Sequence, residues 1–117
     1  MRDLGGEDAD NAVFVESHVD TLGAMVSQIK SNGCLEISPV GGIDANSAEG
    51  ETVRIRTRDG RIYDGTCQLC NASVHVNGKY AETKRTYDVM EIVVDEKTSS
   101  KEETEKLGNY DRRFCLL

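Results

Sequence analysis

The chain has 117 residues, 38% of them apolar and 5% aromatic, which supports one modest core with polar segments around it and excludes several independent domains. No apolar run approaches the roughly 18 residues of a membrane span, and the acidic start MRDLGGEDAD lacks the character of a secretory or mitochondrial leader. The expected location is therefore inside a cell, in cytosol or nucleus. The net charge of -7 is unevenly spread: residues 1–52 carry two basic and ten acidic side chains, residues 53–85 seven and three, and residues 86–117 five and eight. A basic middle flanked by acidic arms suits nucleic acid or an acidic partner, or is simply a solvated strand face.

In chain order, residues 1–11 read as a disordered acidic lead. Over residues 12–33 the apolar positions Val15, Val19, Leu22, Val26 and Ile29 recur at steps of four and three, one stripe of an amphipathic helix. Ser17 or Asp10 is placed to cap its start, and Asn32-Gly33 to end it. Residues 34–51 contain Pro39, Gly41, Gly42 and small polar side chains and read as a loop insertion after at most a short strand at Cys34–Ile37.

Residues 52–94 carry the strongest pattern. Val53, Ile55 and Thr57 alternate with Arg54, Arg56 and Arg58, which is a two-faced strand. Asp59-Gly60 supplies a hairpin turn, and the second strand runs through Ile62, Tyr63, Cys67 and Leu69. Gly65 within it marks a bend or a close backbone approach. Asn77-Gly78 predicts a second hairpin turn, and Val89 to Val94 a final apolar strand. The tail, residues 95–117, is charged and mobile in this reading, with a possible short helix near Lys101 to Lys106.

The order Val53, Ile55, Gly60, Tyr63, Gly65 resembles the first signature of the Sm and Sm-like (LSm) family, and Cys67, Asn71, Val74 and His75 follow its second half in character. The resemblance covers roughly Thr52 to Val94. It implies a mainly β fold with an N-terminal α-helix: a small, strongly bent, five-stranded antiparallel barrel of Sm-like or SH3-like type. It also implies a non-catalytic subunit of a ribonucleoprotein or RNA-processing assembly. Single-stranded RNA would meet Asn71 and His75 in the loop after the second strand and Arg85 before the last, with Arg54, Arg56 and Arg58 near phosphates. His75 replaces the family's usual Asn, and Thr86 stands where its Gly would be. Open strand edges over Lys79 to Arg85 and over Val89, Ile92, Val93 and Val94 would join protein subunits into a homo- or hetero-oligomer. The competing reading is a Tudor or SH3-like module that binds protein and never RNA.

No enzymatic constellation stands out. Cys67-x-x-Cys70 with His75 and Cys34 is the sharpest metal or redox idea, but strand parity sends Cys67 and Cys70 to opposite faces. They read instead as small residues filling a barrel interior. Neither a cofactor, a metal nor a membrane contact is expected, and Cys115 misses the prenylation position.

Overall fold

The computed structural model describes residue 10, residues 13–19 and residues 21–108. The acidic lead, apart from Asp10, and the apolar end Phe114 to Leu117 lie outside the described residues. Five strands form one antiparallel sheet in the order β1-β2-β5-β4-β3: β1 (Gly23–Ile29), β2 (Leu35–Val40), β3 (Thr52–Arg56), β4 (Ile62–Leu69) and β5 (Met90–Val94). Two short helices, α1 (Ala45–Ala48) and α2 (Lys101–Leu107), complete it.

The predicted helix over 12–33 is corrected to a hairpin. Gly23–Ile29 is a strand whose Ala24 and Val26 face the core, paired antiparallel with β2, with a bulge between Val26 and Gln28. Residues 13–19 belong to neither helix nor strand. Asn32-Gly33, which ends a helix in the periodicity reading, turns a hairpin instead. Lys30 N–H donates to the Cys34 carbonyl at 2.9 Å, Asn32 Oδ1 accepts from Cys34 N–H at 3.1 Å, and Gly33 takes φ of 84°. A three-residue hairpin loop needs its last residue in that left-handed region, where glycine is cheap. The turn chemistry and the β2 partner outweigh an apolar stripe of which only Val26 and Ile29 lie in the strand, one on each side of the bulge.

The segment 34–51 opens with a longer strand than the one read at Cys34–Ile37: β2 runs on to Val40, and a loop holding α1 follows. Leu35 and Ile37 are buried in β2, which pairs with β5 at Leu35 and Ile92. Pro39 is tolerated because it lies beyond that contact, so its missing N–H interrupts no ladder with β5. Asp44 caps α1 by accepting from Asn46 N–H at 3.0 Å.

The β3–β4 hairpin forms as read, from Thr52 opposite Thr66 to Arg56 opposite Ile62. Thr57 N–H donates to the Arg61 carbonyl across the Asp59-Gly60 turn at 2.8 Å, and Gly60 has φ of 87°. Gly65 is a point of close approach: an added Cβ would lie 2.7 Å from the Val93 carbonyl oxygen and 3.0 Å from Ile92 Cγ2.

Beyond β4 the predicted strand, Asn77-Gly78 turn and strand are replaced by successive turns and two 3-10 segments, Tyr80–Glu82 and Tyr87–Val89. Asn77 is used locally, its Nδ2 donating to the Asn71 carbonyl at 2.9 Å and its Oδ1 accepting from Lys79 N–H at 3.1 Å. The two remaining strands of the sheet are β1 and β2, not the segments on either side of Asn77-Gly78, so the sheet is not confined to 52–94. The final strand is not an edge either. β5 sits between β2 and β4, with Met90, Ile92 and Val94 buried on one face and Glu91 on the other. Its backbone is committed on the β4 side from Met90 to Val94 and on the β2 side at Ile92, which removes the basis for oligomerisation through Val89, Ile92, Val93 and Val94.

The charged tail docks as α2. Ser100 caps the helix by accepting from Glu103 N–H, and Glu103 reaches back to accept from Ser99 N–H at 2.7 Å. Thr104, fully buried, donates to the Gly33 carbonyl at 2.8 Å, and Tyr63 O–H donates to the Leu107 carbonyl at 2.6 Å. Those two bonds tie the helix to both hairpins.

The crowding at Gly65 sets a stability test. Gly65→Ala forces a Cβ against backbone and is expected to cost about 1–3 kcal/mol in urea unfolding. Gly42→Ala, with nothing within 4 Å of its added Cβ, is expected to stay within about 0.5 kcal/mol of the parent. Equal midpoints for the two variants would refute the close approach.

Candidate functional site

Two polar clusters lie where the sheet meets its loops. On the face opposite the core, Glu91 projects from the middle of β5 and is 4% exposed. A buried carboxylate needs a partner. Lys30, at the end of β1, supplies it: Nζ lies 2.9 Å from Glu91 Oε2 and donates to Cys70 Sγ at 3.0 Å. Burial works against the Lys30 charge, but the hydrogen bonds to Cys70 and Glu91 outweigh it and raise the ammonium above the ordinary lysine range. Cys34 borders the same group. Burial first, then the Glu91 carboxylate, push its thiol up to about 11.

The second cluster clips the 41–51 and 70–89 segments together. Arg85 Nε donates to Glu49 Oε2 at 2.7 Å, and its Nη1 donates to the carbonyls of Tyr80 and Thr83 at 2.9 and 2.7 Å. Tyr80 O–H donates to Glu49 Oε1 at 2.9 Å, while the guanidinium stands 4.8 Å from the Tyr80 ring centre. The Arg85 hydrogen bonds hold the Glu49 carboxyl below the usual carboxylate range against the opposing effect of burial.

Of the sequence-predicted site residues, Asn71 and His75 share the exposed loop after β4. Arg85 is engaged in the Glu49 clip. Arg54 and Arg56 are exposed on edge strand β3, and Arg58 is exposed in the turn after it. Val89 and Val93 are half-buried, and Ile92 and Val94 belong to the core. Cys67 is buried in the core and Cys70 exposed, as strand parity requires, so the CxxC pair does not converge. Burial pushes the Cys67 thiol up to about 11. Among the described residues no three His, Cys, Asp or Glu side chains group to hold a metal ion, and no helix is long and apolar enough to cross a membrane.

Lys30, Glu91, Glu49 and Tyr80 were not singled out from sequence. The signal for the first pair was a lone acid inside the apolar strand MEIVV, which demands a cation from elsewhere. Lys30→Met leaves that carboxylate buried without its cation. The expected loss is about 2–3 kcal/mol in urea unfolding at neutral pH, less than the ~3–5 kcal/mol of a fully buried pair, because 24% of the Lys30 side chain meets water. Adding Glu91→Gln should recover most of it; a double variant as unstable as the sum of the singles would deny the pairing.

Comparison with known proteins places this architecture. The chain matches the sequence profile of the M42 glutamyl aminopeptidase family over residues 2–110. It is 42% identical over 105 residues to the aminopeptidase homologue YhfE of Bacillus subtilis (strain 168), covering 90% of this chain and 30% of that protein. Among solved structures it is similar to the aminopeptidase APDkam598 from the archaeon Desulfurococcus kamchatkensis, with 32% identity and a TM-score of 0.67, covering 84% of this chain and 25% of that one. It is also similar to PhTET1-12s, described as a dodecamer, with 25% identity and a TM-score of 0.61 over 86% of this chain and 27% of that one. The chain thus spans less than a third of the length of the curated relatives it matches.

These matches overturn the Sm-like resemblance, and with it the ribonucleoprotein subunit, the RNA partner, the Tudor-type alternative and the non-catalytic reading. The mainly β, five-stranded antiparallel character stands. What the first signature captured is a local hairpin with a glycine at a crowded ladder position, a solution open to unrelated sheets. The chain belongs to the M42 glutamyl aminopeptidase family.

Proposed function

We propose that this chain is the sheet-rich part of an aminopeptidase that removes residues from the N-terminus of peptides. The observation that carries the reading is the family match across residues 2–110, supported by 42% identity to YhfE over 90% of the chain. In this reading the described sheet is a rigid platform, and the groups that hydrolyse the bond are supplied together with the rest of a longer polypeptide. The clip of Arg85, Glu49 and Tyr80 and the bonds from α2 to both hairpins suit such a platform, because they fix loops that would otherwise move independently. Subunit association also belongs to the proposal, motivated by the dodecamer described for PhTET1-12s; β5, being internal, is not its contact.

The reading is tested with a hybrid in which residues 2–110 replace the matched segment of YhfE. Aminoacyl p-nitroanilides bearing acidic, basic and apolar side chains are compared with their N-acetylated forms. Turnover of at least one free-amine substrate at about 1 s⁻¹ or faster is expected, with the acetylated forms untouched. A folded hybrid that cleaves no free-amine anilide, or cleaves both forms equally, would remove aminopeptidase activity from the account.

A further inference from the structure

Among the described cysteines, Cys70 alone combines exposure with a cation at its sulfur. Cys67 is buried in the core and Cys34 is half-buried beside Glu91, and burial pushes both thiols up to about 11, so they stay protonated at neutral pH. Cys70 directly follows β4, its N–H donating to the Val89 carbonyl at 2.9 Å while its side chain meets water. The Lys30 ammonium donates to its Sγ at 3.0 Å and to Glu91 Oε2 at 2.9 Å. Reactive thiols occupy settings of this kind, electropositive and open to solvent, whereas buried thiols are inert. The cation is also held in place. Glu91, 4% exposed on central strand β5, would be left as an uncompensated buried carboxylate if Lys30 swung away.

We propose that Cys70 is a site of oxidation by hydroperoxides, promoted by Lys30, and that its oxidised form is resolved by a small thiol from solution. The inference does not depend on the aminopeptidase reading. The Cys70 sulfur, its proton given up to water, attacks one oxygen of hydrogen peroxide. An S–O bond forms as the O–O bond breaks, and the sulfur loses two electrons. The other oxygen leaves with those electrons as hydroxide, takes a proton from the Lys30 ammonium and departs as water; Lys30 then recovers a proton from solvent. Overall one thiol and one peroxide give one sulfenic acid and one water.

Cys34 is the obvious resolving thiol, but the sheet keeps it away. Cys34 directly precedes β2 and Cys70 directly follows β4, and β5 runs between those strands with Glu91 on the face the two cysteines share. Two strand spacings amount to about 9.5 Å, more than the roughly 7 Å of Cα separation that a disulfide can span. A thiol from solution meets no such barrier at exposed Cys70. It attacks the sulfenic sulfur, an S–S bond forms, and the oxygen leaves as water.

The test uses the chain with Cys115→Ser, which removes the cysteine outside the described residues. It is treated with hydrogen peroxide in the presence of dimedone, which traps sulfenic acids, and the adduct is located by fragment masses. Labelling is expected on Cys70, well ahead of Cys34 and Cys67. Lys30→Met combined with Glu91→Gln, the pair whose stability is expected to recover, should slow it by about tenfold or more, the worth of one charge-assisted hydrogen bond to the developing anion. Lys30→Arg keeps the cation and should retain most of the rate. Unfolding would label all three cysteines alike, so the preference for Cys70 over Cys34 within each sample reports that the variant is folded. With glutathione in place of dimedone, a mixed disulfide at Cys70 that dithiothreitol reverses is expected. Labelling of Cys34 or Cys67 as fast as Cys70 in the folded parent, an unchanged rate in the folded double variant, or a Cys34–Cys70 disulfide would each overturn the proposal.

Discussion

The structure depends on the central placement of β5. Two hairpins, β1–β2 and β3–β4, are each local in sequence and neither could be stable alone. β5 joins them, pairing with β4 from Met90 to Val94 and with β2 at Leu35. Its inward residues Met90, Ile92 and Val94 bring the apolar sides of both hairpins into one core. The same placement explains the conformations around it. Gly65 must lack a Cβ because the β5 backbone passes over it, and Glu91 must find Lys30 because a central strand has no wet face at that position.

α2 and the two long loops secure what β5 assembles. Thr104 binds the β1–β2 turn, while Tyr63 holds the far end of the helix to the β3–β4 hairpin. Tyr87 O–H donates to the Ile43 carbonyl at 3.0 Å, and Arg85 grips Glu49, so the segment leading into β5 is fastened to the segment leading out of β2. These are polar contacts between residues 36 to 71 positions apart in sequence. A single chain pattern of periodicity carries no trace of them.

That division accounts for what the sequence disclosed. The hairpin at Asp59-Gly60 was legible because its turn, its alternation and its register agree; of the tail only a short helix near Lys101 to Lys106 was read, and neither its Ser100 cap nor its docking through Thr104 was. The β1 strand was not legible: Val19, Leu22, Val26 and Ile29 satisfy a helical step, and only the three-residue turn at Gly33 and the partner strand decide between the two periods. β5 was recognised as a strand but given the wrong neighbours, since an apolar strand does not announce whether it is central or an edge. The lone Glu91 did carry that information, because a carboxylate inside a doubly covered strand requires a cation from elsewhere in the fold. The family itself was hidden by a hairpin whose glycine spacing also occurs in small barrels.

The most direct test of this account is native-state amide exchange across the sheet of the isolated chain. β5 is predicted to exchange most slowly, at the rate set by global unfolding, with the outward amides of edge strands β1 and β3 fastest among the strands and residues 79–85 largely unprotected. Fast exchange along one side of β5 from Met90 to Val94, together with ladder-like protection over residues 79–85, would contradict the central strand and restore an open-edged barrel.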